Sequence, residues 1–179
     1  SWEIRYNEAK SYYEKNGEVW TEVFSTPGRV GAYGVAPEAD RLQDTYKTPS
    51  GIHRIIGAFG KADDPGAVFP YIKVTSEMYW DLNSGSPNYN RLVYSDPGGE
   101  REHLIEYNSY LYALNTDYNY EQTPGKGGAI FIHCNGAGAT AGCVSMPADK
   151  MKALVMSVDP AKNPAVVITL KSNLSSYTN

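Results

Sequence analysis

The sequence lacks two features that would place it in a membrane or on a nucleic acid. It has no apolar run of 18 or more residues, so no part of it is expected to span a bilayer. It also has no long run of charge of one sign, and its formal net charge of -4 argues against a nucleic-acid partner, which needs a basic patch. The chain begins at Ser1 rather than Met, without a charged start followed by an apolar run, so we expect a processed fragment from which any signal peptide has been removed.

Cysteine is scarce, with Cys134 and Cys143 the only two in 179 residues. A disulfide between them would close a short, Gly-rich loop and add little rigidity, whereas the alternative is that at least one thiol is reactive. A domain of this size buries roughly two-thirds of its unfolded surface, so it needs neither a disulfide nor a metal to fold. No C-x-x-C or H-x-x-x-H pair is present to support a metal site, and we expect neither a metal nor another cofactor.

The beginning of the chain differs in pattern from the rest. Residues 2–16 are polar and weakly amphipathic, which predicts a helix that Gly17 ends. The stretch Glu18–Phe24 alternates as a half-buried strand does. We therefore divide the chain into an N-terminal helical extension over 1–17, one domain over 18–171 and a flexible tail over 172–179.

The remainder of the chain reads as mainly β. Further strands are predicted over residues 52–59, 71–75, 78–82, 110–115, 129–133 and 166–170, the last of them buried. Residues 83–101 are rich in Asn, Ser, Pro and Gly and predict a long surface loop. Apolar residues at helical spacing predict one firm helix over 147–158, with Pro147 at its first position.

The most informative stretch is Ile130–Pro147. A β-branched strand delivers His133 to its end, a Gly-rich loop follows, and Gly142-Cys143 opens a second apolar stretch. This strand–loop–return arrangement predicts that His133 and Cys143 meet, so that the imidazole takes the thiol proton and holds the pair as thiolate and imidazolium. The N–H groups of Gly142 and Cys143 are then expected to face a developing oxyanion.

Spacing alone leaves other interpretations open. A histidine after a strand is often a satisfied core residue, and a buried cysteine often behaves as a small hydrophobe. The run Gly136–Ala141 also fits the G-x-G-x-x-A pattern of dinucleotide sites. That site needs a helix to begin inside the glycine run, but Cys-Val-Ser-Met-Pro follows and too little chain remains for the βαβ units.

The stretch from His133 to Pro147 resembles the signature of the L,D-transpeptidase catalytic domain, the YkuD family. That signature is a histidine, a Gly-rich loop and Ser/Thr-x-Gly-Cys followed by an aliphatic residue, here Thr140-Ala141-Gly142-Cys143-Val144. Three weaker matches occur in the family's order. They are Thr48-Pro49-Ser50-Gly51, Tyr118-Asn119 and the segment Gly128–His133. The resemblance spans about residues 18–170.

The resemblance implies a β-sandwich of mixed sheets with one or two helices and an enzyme of peptidoglycan. Cys143 would attack the carbonyl between the third residue and the D-alanine of a stem tetrapeptide, D-alanine would leave, and a thioester would remain. An amine of a neighbouring stem would resolve it as a 3→3 cross-link, with His133 as base and later acid. Water as acceptor would make the enzyme an L,D-carboxypeptidase, and a catalytically silent cell-wall binding module is a further alternative.

The resemblance also implies the rest of the site. A carbonyl or small polar group at Cys134 or Asn135 would orient the imidazole. The residues expected to contact substrate are Tyr118, Asn119, Asn135, Thr140 and Ser145. The enzyme is expected to be a monomer outside the cytoplasm, secreted or associated with the cell wall, and a target of carbapenems.

Departures from the family pattern indicate a divergent branch. Ala141 stands where many members have a second histidine, and Ser145 stands where many have an arginine. Only nine residues separate His133 from Cys143, fewer than is common in the family.

Overall fold

The computed structural model describes residues 9–178, which contain 13 strands and two α-helices. The strands are β1 Ala9–Asn16, β2 Val19–Pro27, β3 Val35–Ala36, β4 Thr48–Pro49, β5 Gly51–Gly60, β6 Tyr71–Lys73, β7 Tyr79–Asp81, β8 Arg91–Val93, β9 Arg101–His103, β10 Ala113–Thr116, β11 Phe131–Cys134, β12 Val144–Met146 and β13 Ala165–Ile168. The helices are α1 Ala148–Ser157 and α2 Ser175–Thr178. Short 3-10 helices lie at Glu38–Asp40, Leu104–Glu106, Asn108–Leu111, Pro160–Lys162 and Lys171–Asn173. No helix in this part of the chain is long and apolar enough to cross a membrane.

The first described element is a two-stranded antiparallel ribbon, formed by β1 and β2. The predicted helix over 2–16 is therefore wrong for residues 9–16, and its residues 2–8 lie outside the described residues. Gly17, with φ +62, opens the tight turn between the strands rather than ending a helix. The ring of Tyr12 packs on that of Phe24 at 5.6 Å between centroids, a cross-strand aromatic contact that favours the ribbon. The division at residues 17 and 171 stays a prediction.

A mixed sheet of six strands forms the centre of the molecule. Its order is β12-β11-β10-β5-β13, with β6 also paired to β5. The pairs β11–β12 and β5–β6 are parallel, and the other pairs are antiparallel. The predicted fold class, mainly β with mixed sheets, is confirmed.

Alternation along β11 and β12 sends side chains to two faces of this sheet. On one side, which we call the helix face, Ile132, Cys134, Val144 and Met146 join the apolar cluster that α1 covers. On the other side, which we call the aromatic face, Phe131, His133, Cys143 and Ser145 point away from α1, and Phe131 and Cys143 belong to a second cluster rich in aromatic rings.

Helix α1 follows the sequence pattern closely. Met151, Leu154 and Val155 are buried at positions i, i+3 and i+4, which is the spacing of one helical face. The helix begins at Ala148, so Pro147 caps it in an extended conformation instead of occupying its first position.

Three predictions of strands and loops need correction. Strand β13 is not buried, because it pairs only with β5 at the outer edge of the sheet and Ile168 is its only buried residue. The predicted loop over 83–101 contains β8 and the first residue of β9, which flank β7 in a small antiparallel sheet. The predicted strand over 110–115 begins only at Ala113, because a 3-10 turn precedes it.

Candidate active site

Two neighbouring parallel strands position His133 and Cys143. In their register Ile132 pairs with Val144 and His133 with Ser145, so Cys143 lies two residues along the chain from the partner of His133. Both side chains therefore project from the aromatic face, about 8 Å apart at the backbone by the rise and spacing of strands. Because β11 and β12 are parallel, the chain between them crosses over and does not form a hairpin. The predicted nucleophile and base thereby lie on one face of the sheet.

The thiol of Cys143 is buried, with 7% of the residue exposed. Its Sγ donates to the carbonyl of Ala129 at 3.0 Å and accepts from the N–H of Phe131 at 3.3 Å. Burial, with a further contribution from the charge of Glu102, raises the pKa of Cys143 to about 12. The raised pKa and the hydrogen bond that the thiol donates to a carbonyl both favour the protonated thiol over the predicted thiolate.

The imidazole of His133 is held by the next residue of its own strand. Nδ1 donates to the carbonyl of Cys134 at 2.7 Å, and because a carbonyl only accepts, the proton lies on Nδ1 and Nε2 is left as the basic nitrogen. No hydrogen bond to Nε2 is found within residues 9–178. Burial lowers the pKa of His133, partly offset by the bond to Cys134, so the ring is a neutral base at neutral pH. The resting pair is thiol and imidazole rather than the predicted ion pair.

A cavity of about 120 Å³ opens beside the thiol. Its lining residues are Arg41, Gln43, Asp44, Tyr46, Leu82, Glu102, Gly128, Ala129, Ile130, Ala141, Gly142 and Cys143. Only Gly142 and Cys143 among the predicted site residues contribute to its walls. The other walls come partly from nearby residues, 128–130 and 141, and partly from segments far away in the chain, above all residues 41–46.

Glu102 and Tyr110 were not predicted as site residues. Glu102 is half-buried in the cavity wall, and burial raises its pKa to about 7, although the hydrogen bond from Tyr110 opposes that shift. The Tyr110 hydroxyl donates to Oε2 of Glu102 at 2.5 Å, and its ring meets the His133 ring edge-on at 5.3 Å. Glu102 stands among other charged residues in the sequence, and this context carries no local signal of such a position.

Arg41 is the second residue that the sequence did not reveal. It is only 4% exposed, and its Nε and Nη1 donate to the carbonyls of Lys47 and Lys126 at 3.3 and 2.9 Å. The guanidinium lies over the Tyr118 ring, 5.3 Å from its centroid. The site thus holds a buried cation in the same cavity as the thiol.

Two of the predicted substrate contacts have structural positions instead. Asn119, 1% exposed, binds the backbone of Thr123 and Gly127 through its amide and so closes the loop before β11. Tyr118, 2% exposed, donates its hydroxyl to Lys126 and supports Arg41 with its ring. Neither side chain lines the cavity, because both are buried beneath the loop that they hold.

Asn135, Thr140 and Ser145 also face protein rather than the cavity. The hydroxyl of Ser145 donates to Oδ1 of Asn135 at 2.8 Å. The Thr140 hydroxyl donates to the carbonyl of Cys143 at 2.6 Å and accepts from the N–H of Gly142 at 3.1 Å. The predicted oxyanion site therefore retains only the N–H of Cys143, for which no hydrogen bond is found within the described residues.

Cys134 lies on the helix face, on the opposite side of the sheet from Cys143. Both cysteines are free, so the disulfide alternative does not hold in this structure. Burial raises the pKa of Cys134 as well, and its sulfur lies 3.6 Å from the carbonyl of Tyr112.

Neither of the other chemical alternatives finds support in the described part of the chain. Residues 136–141 open no helix, so the glycine run lacks the element that a dinucleotide site requires. Within residues 9–178, no group of three His, Cys, Asp or Glu side chains is arranged to hold a metal ion.

Comparison with known proteins gives one family and one solved structure. Residues 3–168 match the model of the YkuD family, described as the L,D-transpeptidase catalytic domain. No curated protein matches the chain. A solved structure that is similar is that of Bdellovibrio bacteriovorus Bd1075, with 17% sequence identity and a TM-score of 0.45, covering 95% of this chain and 49% of the other. The chain thus spans about half the length of that protein.

Proposed function

Since the chain belongs to the L,D-transpeptidase catalytic domain family, we propose that it processes peptidoglycan stem peptides through a thioester on Cys143. The observation that carries the proposal is the placement of a cysteine and a histidine on one sheet face, with the imidazole fixed in the tautomer that accepts a proton. Peptidoglycan lies outside the cytoplasmic membrane, so we place the enzyme there, as a monomer secreted or bound to the cell wall.

The first half of the reaction forms the thioester. The Cys143 thiol leaves the Ala129 carbonyl and gives its proton to Nε2 of His133 as sulfur attacks the carbonyl before the terminal D-alanine. The Cys143 N–H donates to the oxyanion that forms. His133 then returns the proton to the departing amine, the C–N bond breaks, and D-alanine leaves. A neutral resting pair suits this sequence because the thiolate is generated only when substrate is present.

The second half transfers the acyl group to the amine of a neighbouring stem. His133 accepts the proton of the attacking amine, the thioester breaks, and the product is a 3→3 cross-link. A second candidate has water in place of the amine as the acceptor. Water as acceptor releases the tripeptide, and the enzyme is then an L,D-carboxypeptidase.

The test is the intact mass of the protein after incubation with a carbapenem. We expect one added drug mass on the wild type and on Cys134→Ala, and none on Cys143→Ala. An adduct that persists in Cys143→Ala moves the nucleophile elsewhere. A wild type that gains no drug mass and leaves a tetrapeptide stem intact is a silent binding module. Cross-linked dimer or free tripeptide from that stem then separates transfer from hydrolysis.

A further inference from the structure

Arg41 is a buried cation that has no acidic partner. Lysine and arginine are almost never fully buried unless a counter-charge accompanies them. Hydrogen bonds to two carbonyls use two of the five N–H donors of its guanidinium, and within residues 9–178 no Asp or Glu forms an ion pair with it. The remaining donors have the hydroxyl of Tyr118 as a hydrogen-bonding neighbour, and none of them is bonded to a carboxylate in the described part of the chain.

The free side of this guanidinium faces the thiol region of the cavity. Arg41 lines the cavity together with Gly142 and Cys143. A methyl group placed on Gly142 would come within 3.0 Å of Nη2, and one placed on Gly127 would clash with Nη1. Glycine at both positions therefore leaves the room that the guanidinium occupies, directly beside the residue that precedes the nucleophile.

The acidic residues of the same cavity do not neutralise Arg41. Asp44 is exposed and forms no ion pair among the described residues. Glu102 is turned toward the hydroxyl of Tyr110, and burial raises its pKa to about 7, so much of it is uncharged near neutral pH. The cavity is thus left with a positive charge for an anion that is not part of the protein.

The substrate of the proposed reaction carries an anion close to the bond that breaks. The bond that breaks joins the third residue to a terminal D-alanine, whose carboxylate follows the reacting nitrogen within one residue, about 3.5 Å of extended chain. A guanidinium presents a planar fork of donors that fits a carboxylate with two hydrogen bonds.

We propose that Arg41 binds the free carboxylate of the leaving residue and so restricts the enzyme to stem peptides with an unblocked C-terminus. This inference rests on the proposed function. It names Arg41 as a residue that determines specificity at the leaving-residue position.

The first test uses the wild-type protein and two substrates, a tetrapeptide stem that ends in D-alanine and the same stem that ends in D-alaninamide. Loss of a charge-assisted pair predicts that kcat/KM is about ten- to a hundredfold lower for the amide. Equal kcat/KM for the two substrates overturns the role of Arg41 and leaves the proposed function standing. Turnover of neither, without a carbapenem adduct, overturns the proposed function and this inference with it.

The second test follows the ratio of acid to amide turnover in Arg41→Gln, Arg41→Lys and a control, Arg54→Gln. Arg54 is exposed and does not line the cavity. We expect the ratio to fall close to one in Arg41→Gln, to fall partway in Arg41→Lys and to stay at the wild-type value in Arg54→Gln. A ratio unchanged in a folded Arg41→Gln overturns the proposal. If that variant does not fold, the substrate pair on the wild type decides.

Discussion

The two faces of the central sheet draw on the same two strands and yet differ in what they hold. On the helix face, Cys134 and its neighbours pack against α1 in a cluster without a charged group. On the aromatic face, Cys143 and His133 lie among aromatic rings that include Phe131 and Tyr110, and Cys143 borders a cavity that contains charged side chains. The period of two in a β-strand is what separates the two sets.

The two cysteines show what the comparison teaches. Both are buried and both pKa values are raised, chiefly by burial. Neither burial nor the direction of the pKa shift therefore distinguishes the proposed nucleophile from the other thiol. Cys143 differs because its face also carries a basic nitrogen and an opening for a ligand, whereas Cys134 meets only apolar neighbours and one carbonyl.

The largest expected effect is the loss of activity when the basic nitrogen on the aromatic face is removed and the fold is kept. His133→Gln removes the basic nitrogen but keeps an amide that can donate to the Cys134 carbonyl. We expect kcat/KM on a tetrapeptide stem to fall about 10²–10⁴-fold, the usual contribution of a positioned base. Because burial lowers the pKa of His133, wild-type activity should decline only below the ordinary histidine range as pH falls.

The matched variant on the other face is Cys134→Ala. It keeps the backbone carbonyl that orients His133, so its kcat/KM should stay within a few-fold of the wild-type value. Thermal unfolding of both variants checks that each is folded. A loss of activity in Cys134→Ala as large as that in His133→Gln would contradict the assignment of activity to the aromatic face.

The next effect concerns stability and belongs to the helix face. Met151 is a fully buried residue of α1. Replacing it with alanine leaves a cavity, so the free energy of unfolding should fall by about 2–5 kcal/mol. Met156 lies on the same helix but is 44% exposed, and Met156→Ala should cost less than about 0.5 kcal/mol. Urea unfolding measures both. Equal losses, or a lower kcat/KM for folded Met151→Ala, would contradict the assignment of this face to stability.

The helix face is also the part of the fold that the sequence predicts best. Period-3.6 spacing identifies α1, because one-sided burial leaves a local pattern. Alternation over residues 18–24 located β2, but that strand is largely exposed and not half-buried as the pattern predicted. The ribbon strand β1 was missed, since Tyr12 and Tyr13 sit among polar residues and the strand has no apolar face of its own. Its only signal was Asn16-Gly17, a pair typical of tight turns.

The site was predictable only in part for a physical reason. His133 and Cys143 lie close together in the chain, so one strand and one short loop suffice to bring them to the same face. Arg41 and Glu102 reach the cavity through contacts between segments far apart in the sequence, and no local pattern records such contacts. Tyr118, predicted to contact substrate, donates its hydroxyl to the Lys126 carbonyl and supports Arg41 with its ring, and it does not line the cavity.

The smallest expected effect is a change of the unfolding free energy with pH, and it depends on Glu102 in the cavity wall. Burial raises the pKa of Glu102 from 4.5 to about 7, so the folded protein holds this proton more tightly than the unfolded chain does. The stabilisation is complete below the unfolded value and is lost as pH rises through the folded value, by up to about 3 kcal/mol between pH 4.5 and 8. Glu102→Gln keeps an acceptor for Tyr110 but has no proton to lose. Its unfolding free energy, measured in urea, should therefore gain on the wild type between pH 5 and pH 8. Glu77 is exposed, and the control Glu77→Gln should show no such gain. A difference in unfolding free energy between Glu102→Gln and the wild type that does not change with pH would mean that folding does not raise the pKa of Glu102.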